Sequence, residues 1–507
     1  MSSTVLTRTQ DFTYQETSHG ELAAQADALL RQPGWRFGHL TARSLSPSQV
    51  AIDALLLNLT QGGGTILTAA LPDGECSYPS LTATIPTAHW AERAVGDLFG
   101  IRASGHPRWK SLWLHDDRWP MDFFPLAGAS QATVAREPYR FLQVEGEGTH
   151  EIPVGPIHAG IIEPGHFRFS CVGEIITNLE IRLGYQHRGI EKRLTEVPWQ
   201  QSCFIAESAS SDTAAGNALA HAVAIEQMLG ITAPPRAQAL RTIALELERL
   251  ANHIGDVGAL AGDIGFSPGA SLFPPFRGAT LALAQRLTGN RRQRWYIIPG
   301  GVARDIDETN RRMLLADLSS LAKRVRDHLP VVLEHPGVIE RMEGTGRLAP
   351  SLARDFGIVG PAGRASGSQY DARRHFVHGN YPELAPEPAH RETGDVLARA
   401  QIKAEEIDSS INILTQLLES LPSSPICTEL PSILPANAVG VGIVEAWRGE
   451  LIHWITTDAA GQIARYAIKD PSFNNWTGLA IAIRGNLVAD FPLCNKSFNL
   501  SYSGNDL

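Results

Sequence analysis

Cysteine is scarce and scattered. The five cysteines among 507 residues are Cys76, Cys171, Cys203, Cys427 and Cys494. None forms a Cys-x-x-Cys pair, which excludes a zinc ribbon and a local iron–sulfur motif. An odd, dispersed set also argues against a disulfide scaffold and suits a reducing compartment. Apolar runs long enough to cross a bilayer are missing, and mean hydropathy is −0.10. The segment Met1–Arg8 lacks a basic stretch followed by an apolar core, so no secretory leader is expected. Positive charge is not in excess: 44 Lys and Arg face 53 Asp and Glu, a net charge of −9. That excludes a dedicated nucleic-acid binder and favours docking on membrane proteins over anionic lipid. With 43% hydrophobic and 19% charged residues the chain is not disordered. At about 150 residues per domain, the length allows two to four domains.

Residues 1–125 read as a small α+β unit. Glu21 to Leu30 has helical spacing, and Val50–Leu59 and Gly64–Leu71 look like strands joined by a Gly-rich turn. Thr87 to Phe99 is helical in period and stops at Gly100. Residues 126–150 have weak periodicity and read as a linker. Residues 151–507 differ. Phe167 to Ile181 alternates like a hairpin, turning at Gly173-Glu174. Helical patterns follow over Ala214–Leu229, Arg236–Leu260, Arg311–Leu329 and Thr393–Leu421. Strand-like runs return at Val439–Val444 and Leu451–Thr456. The fold class is α+β: a small α+β unit, then a mostly helical unit flanked by small sheets.

Stand-alone signatures are few. There is no Walker loop, no Gly-x-Gly-x-x-Gly after a strand and no His-Glu-x-x-His. Gly360-Pro-Ala-Gly-Arg364 offers an Arg on a turn, a weak phosphate cradle. Glu246 and His253 share a helix face, as half a metal site or as an ordinary polar pair.

Longer strings carry more. In order they are Gly155-Pro-Ile-His158, Glu163-Pro-Gly-His-Phe-Arg168, Gly184-Tyr-Gln-His-Arg-Gly-Ile-Glu-Lys192, Glu246-Leu-Glu-Arg-Leu-Ala-Asn-His253, Pro299-Gly-Gly-Val302, Gly360-Pro-Ala-Gly-Arg-Ala-Ser-Gly367 and Glu445-Ala-Trp-Arg-Gly449. Together they resemble the large subunit of membrane-bound, energy-converting nickel–iron hydrogenases of the formate hydrogenlyase kind. They equally resemble the quinone-site subunit of respiratory complex I. Ala91–Ile101, Gly105-His-Pro107 and Asp116-Asp117 resemble the small complex I peripheral-arm subunit, fused ahead of the large one.

The resemblance implies a nickel–iron centre held by two Cys-x-x-Cys pairs, because soft thiolates suit nickel. Those positions fall on Ser210, Thr213, Ser501 and Gly504. Hydroxyls and a glycine replace all four thiolates, so no metal is assigned to this chain. Cys203 and Cys494 sit at the wrong spacing to stand in. For the quinone relative, the phenol position falls near Ser211, and the His-rich loop becomes Ile161-Ile-Glu-Pro-Gly165, the hydrogenase-like form. Asp263 matches an acidic residue near the quinone site. The resemblance makes Glu163 a proton-transfer acid, places His187 and Arg188 beside an iron–sulfur partner, gives Asp263 a coupling role, and puts His158 and Ser211 at a cofactor cavity.

The expected protein is a soluble-arm subunit of a complex I-like oxidoreductase complex that couples electron transfer to ion translocation. It is not an active nickel–iron hydrogenase. It binds no cofactor of its own apart from a quinone as the alternative; the iron–sulfur cluster belongs to a partner. Its expected partners are an iron–sulfur small subunit and antiporter-like membrane subunits, on the cytoplasmic face of the inner membrane. A quinone-reducing subunit with an altered site and a non-redox scaffold are the alternatives. Two packing expectations follow. The surface around His187, Arg188 and the 207–217 loop, with Ala215 and Ala218, meets the iron–sulfur partner. The tail Asn499–Leu507, which ends about where a maturation protease would cut a nickel-loaded relative, is buried, with Leu500 and Tyr502 beside the 207–217 loop.

Overall fold

The computed structural model describes residues 11–159, 162–376, 378–384 and 387–507. The first residue of the loop Ile161–Gly165 lies outside them. The N-terminal unit is built on a four-stranded sheet in the order Phe12–Glu16, Gly63–Ala70, Val50–Asn58, Trp35–Ser44. The first pair is parallel and the others antiparallel. Every residue of Val50–Asn58 is buried, as suits a central strand covered on both faces. Gly63 and Gly64 allow close approach: a Cβ would lie 1.9 Å from the Asp11 carbonyl oxygen and 2.1 Å from that of Leu56. The helices Leu22–Leu30 and His89–Phe99 complete this unit. Gly100 ends the second at φ 69°, a left-handed stop that suits glycine.

Residues 126–148 contain no helix or strand; the next strand starts at Thr149. The intervening chain is nevertheless tied down. Val134 N–H donates to the Gly100 carbonyl at 2.8 Å and Leu142 N–H to Glu180 at 2.8 Å. The two units share one hydrophobic core. Trp90 meets Phe473 edge-on with ring centroids 5.7 Å apart, and Arg465 donates to the Ala42 carbonyl and the Thr41 hydroxyl.

The larger unit opens with an antiparallel sheet, Thr149–Val154, His166–Val172 and Ile175–Arg182. Five long helices follow: Ala214–Leu229, Pro235–Asp263, Ser267–Thr288, Glu308–Leu333 and Val396–Glu419. Ser267–Thr288 escapes a sequence reading because Pro274 and Pro275 lie inside it. It packs antiparallel on its predecessor, with Gly255 against Arg277, Gly258 against Phe273 and Gly269 against Ala261. A second antiparallel sheet, Val439–Ala446, Gly449–Thr457 and Ile463–Lys469, lies on Ala214–Leu229. The contact is close because Ala faces Gly: a Cβ on Gly442 would sit 1.9 Å from the Ala220 carbonyl oxygen. Ala215 and Ala218 are therefore in the chain's own core, at 0% and 1% exposure, and not at a partner surface as the sequence suggested. No described helix is long and apolar enough to cross a membrane.

Candidate functional site

Three of the four residues that the resemblance aligns with nickel ligands come together from the middle and the end of the chain. Ser210 and Thr213 precede the helix Ala214–Leu229; Ser501 caps the short helix Tyr502–Asp506, its hydroxyl accepting from Gly504 N–H at 2.8 Å. The Ser210 and Ser501 hydroxyl oxygens lie 3.1 Å apart. Gly504 leaves no room for a larger residue, since a Cβ would fall 2.4 Å from the Asp470 carboxylate.

Between Ser210 and Thr213 stands Asp212. Arg448 meets it bidentately, with two N–O distances of 2.8 Å, and donates to the Thr213 hydroxyl at 3.1 Å. Ser210 and Thr213 donate to the same carboxylate at 2.8 and 3.2 Å. Burial would raise the Asp212 carboxyl, but the Arg448 guanidinium and these hydroxyls hold it well below the usual range. Asp470, buried nearby, is raised by that burial against the pull of Arg448. A nickel–iron centre needs soft donors, and this set is hard: hydroxyls already in mutual contact and a carboxylate spent on an arginine. The residues present do not fit it. Cys203 and Cys494 contact the Gln200 carbonyl and Arg399 instead.

The cluster reaches the surface through the C-terminal turn. Ser501 and Ser503 hydroxyls are 3.5 Å apart, and Ser503 donates to Glu163 from its backbone N–H at 3.3 Å and its hydroxyl at 3.4 Å. Glu163 is half-buried. His187 stacks on Trp113 with ring centroids 5.8 Å apart, and its Nδ1 meets the Asp506 carbonyl at 2.7 Å. Arg188 makes no carboxylate pair among the described residues. Its guanidinium ties the Ser208 and Ala209 carbonyls, at 2.8 Å each, to that of Ser503. Glu191, the acid nearest in sequence, pairs with Arg465 at 2.8 Å.

The other sequence candidates lie apart from the hydroxyl cluster or at its edge. His158 Nε2 meets the Gly165 carbonyl at 2.8 Å, bracing the loop that carries Glu163. Ser211 is exposed at a cleft with Asp212, Glu248, Arg291 and Arg292. That cleft, about 20 Å³, has room for little more than one water. Its Glu248 accepts from Ala215 and Gly216 N–H, and burial pushes its carboxyl up to about 8. Asp263 is exposed in the last turn of its helix and caps nothing. Glu246 and His253 do not form a metal site: Glu246 accepts from Tyr381, Ser410 and Arg249, while His253 meets Glu406 at 2.8 Å. Arg364 is buried among Glu406, Glu445 and Asp371, which rules out the phosphate cradle.

The tail is buried, with Leu500, Tyr502 and Leu507 at 5%, 7% and 2% exposure. Tyr502 packs on Trp476 and Phe167, and its neighbour Ser501 meets Ser210 of the 207–217 loop. Sequence reasoning assigned no role to Asp212, Arg448 or Ser503. The signal was present for Asp212, an acid between two replaced ligands, and for Arg448, inside a quoted string.

Comparison with known proteins places this geometry. The 30 kDa subunit family of respiratory-chain NADH dehydrogenase matches residues 17–132, and the 49 kDa subunit family matches 263–440 and 433–506. Formate hydrogenlyase subunit 5 of Escherichia coli is 33% identical over 85% of this chain and 77% of its own length. The C/D subunit of the Methylococcus capsulatus NADH-quinone oxidoreductase is 27% identical over 86% of this chain and 82% of its own. Among solved structures, a chain of the membrane-bound sulfane sulfur reductase, an archaeal respiratory membrane complex, matches with a TM-score of 0.67 at 27% identity, over 71% of this chain and 99% of that one. The chain belongs to the family of complex I 49 kDa-type and membrane-bound hydrogenase large subunits, with a 30 kDa-type unit fused ahead of it.

Proposed function

We propose that the chain is a soluble-arm subunit of a complex I-like membrane redox complex that couples electron transfer to ion translocation, without a nickel–iron centre of its own. One observation carries this reading: Ser210, Thr213 and Ser501 converge, as metal ligands would, yet present hydroxyls gathered on an Asp212–Arg448 ion pair. The family supports the rest, because its members are subunits of membrane complexes. The partners are an iron–sulfur small subunit, met at the face bearing Arg188, and ion-translocating membrane subunits on the cytoplasmic face of the inner membrane.

Glu163 is the proton-handling group of this reading. Hydroxyls both donate and accept, so Glu163, Ser503, Ser501, Ser210 and Asp212 form a chain with successive distances of 3.4, 3.5, 3.1 and 2.8 Å. It joins the half-buried Glu163 carboxylate to the Asp212–Arg448 ion pair, whose arginine is buried and whose carboxylate is partly exposed. The test is to purify the complex with its partners, assay nickel, and compare wild type with Glu163→Gln. Nickel well below one per chain and a fall of about tenfold or more in ion-coupled turnover are expected. Stoichiometric nickel, or unchanged turnover in the variant, overturns the respective half of the reading.

A further inference from the structure

A cavity of about 350 Å³ lies in the N-terminal unit, away from the hydroxyl cluster. Its floor is the helix His89–Phe99, through Arg93 and Asp97; one wall is Trp109–Ser111; its roof is the irregular chain over 134–140. The roof lies beyond the 30 kDa family match, which ends at residue 132.

The lining charge is lopsided. Arg93, Arg102, Lys110, Arg136 and Arg140 face Asp97 and Glu137, five cations against two carboxylates, in a chain whose net charge is −9. Two of the cations are buried: Arg93 and Arg136 are 7% and 8% exposed. Buried guanidinium groups are ordinarily paired with carboxylates. Among the described residues neither has a salt bridge. Arg93 donates to the Lys110 and Ser111 carbonyls, and Arg136 to those of Phe123 and Pro120, while Arg136 Nε is buried with no acceptor. The nearby carboxylates are already committed. Asp97 accepts three backbone N–H groups, from Leu112, Trp113 and Leu114, on one oxygen. Glu180 holds Lys110 at 2.8 Å and Arg108 at 3.1 Å, and Glu137 holds Arg102 at 3.0 Å on the rim.

We propose that this cavity binds a small organic phosphate, a phosphomonoester whose dianionic head lies against Arg93, Lys110 and Arg136 and whose carbon body lies against Trp109 and Val134. Two buried guanidinium groups without a carboxylate partner, lining one cavity with an ammonium, suit a multiply charged tetrahedral anion better than a single carboxylate. The volume is at the small end of organic ligand sites, roughly 300–1,000 Å³, and exceeds what inorganic phosphate fills.

The experiment is calorimetric titration of the full chain at low salt. Adenosine 5′-monophosphate and glucose 6-phosphate are the phosphomonoester probes, with inorganic phosphate and adenosine as controls. Saturable 1:1 binding of at least one phosphomonoester, tighter than inorganic phosphate, is expected, with none by adenosine. Arg102 and Arg140 are on the exposed rim. The double variant Arg102→Gln/Arg140→Gln should weaken binding about tenfold without changing the melting temperature, and Glu137→Gln should tighten it, because one removes rim cations and the other a rim carboxylate. Failure of both phosphomonoesters to saturate, affinity no better than that of inorganic phosphate, or indifference to the rim variants overturns the proposal. None of these outcomes depends on the redox reading.

Discussion

Two buried polar clusters share the larger unit and differ in how they end. Around the helix Pro235–Asp263, Glu246, Arg249, Arg364, Asp371, Arg373, Glu406 and Glu445 form a closed set. All are 7% exposed or less, and each guanidinium touches at least two carboxylates. Three arginines face four acids, and the fourth acid is accounted for: burial and Asp371 push Glu445 up to about 7. Burial also opposes ionisation of Glu406, but Arg364, His253 and Arg249 hold it well below its ordinary range. The second cluster, Asp212 and Arg448 with Ser210, Thr213, Ser501 and Ser503, has one ion pair and a string of hydroxyls leading outward to Glu163. Charge matched on all sides locks a core; hydroxyls leading to a half-buried acid leave protons a route. A buried ion network by itself is thus poor evidence of a site.

The largest effect should come from breaking the closed set. Arg364→Met leaves Glu406 without its chief partner in a dry interior and should cost about 3–5 kcal/mol, read as a drop in chemical-denaturation midpoint. A loss below about 1 kcal/mol would mean that water enters this cluster as it does the other.

A pH effect comes next, from a buried acid outside both clusters. Burial pushes Glu207 up to about 7, with Trp295 N–H and Arg294 opposing. Its folded carboxyl holds a proton that the unfolded chain loses near 4.5. Its contribution therefore falls as pH rises from about 4.5 to about 7 and is absent above that window. Glu207→Gln should remove up to about 3 kcal/mol of this decline, seen by comparing melting curves of both proteins at pH 5 and pH 8. Parallel pH profiles would show that Glu207 is ionised throughout.

Arg448→Met should cost less than the Arg364 change, about 1–3 kcal/mol, because the Asp212 side chain is 30% exposed and water replaces part of what it loses. Equal losses in the two arginine variants would erase the distinction between the clusters. Ser501→Ala removes the cap of the last helix and one link of the hydroxyl chain, and should cost about 1 kcal/mol in thermal melts. Glu163→Gln should be smallest in stability, within about 0.5 kcal/mol, while carrying the largest change in coupled turnover.

Much of the fold was legible. Helical periodicity places Ala214–Leu229, Pro235–Asp263 and Val396–Glu419, although the first two are buried on nearly every side, and Gly100 and Gly230 mark helix ends through their left-handed φ. Ser267–Thr288 was hidden by its prolines, and the buried face of Ala214–Leu229 looked like a partner surface because an Ala-rich helix does not say what covers it. The sequence alone determined that no Cys-x-x-Cys pair is present and that Ser210, Thr213, Ser501 and Gly504 bring hard donors or none, since donor softness is a property of residue type. Tertiary structure decided the rest. Asp212 and Arg448 are separated by 236 positions, Ser210 and Ser501 by 291, and Glu163 and Ser503 by 340. Contacts at such separations arise from how helices and sheets pack, which no local pattern of residues encodes.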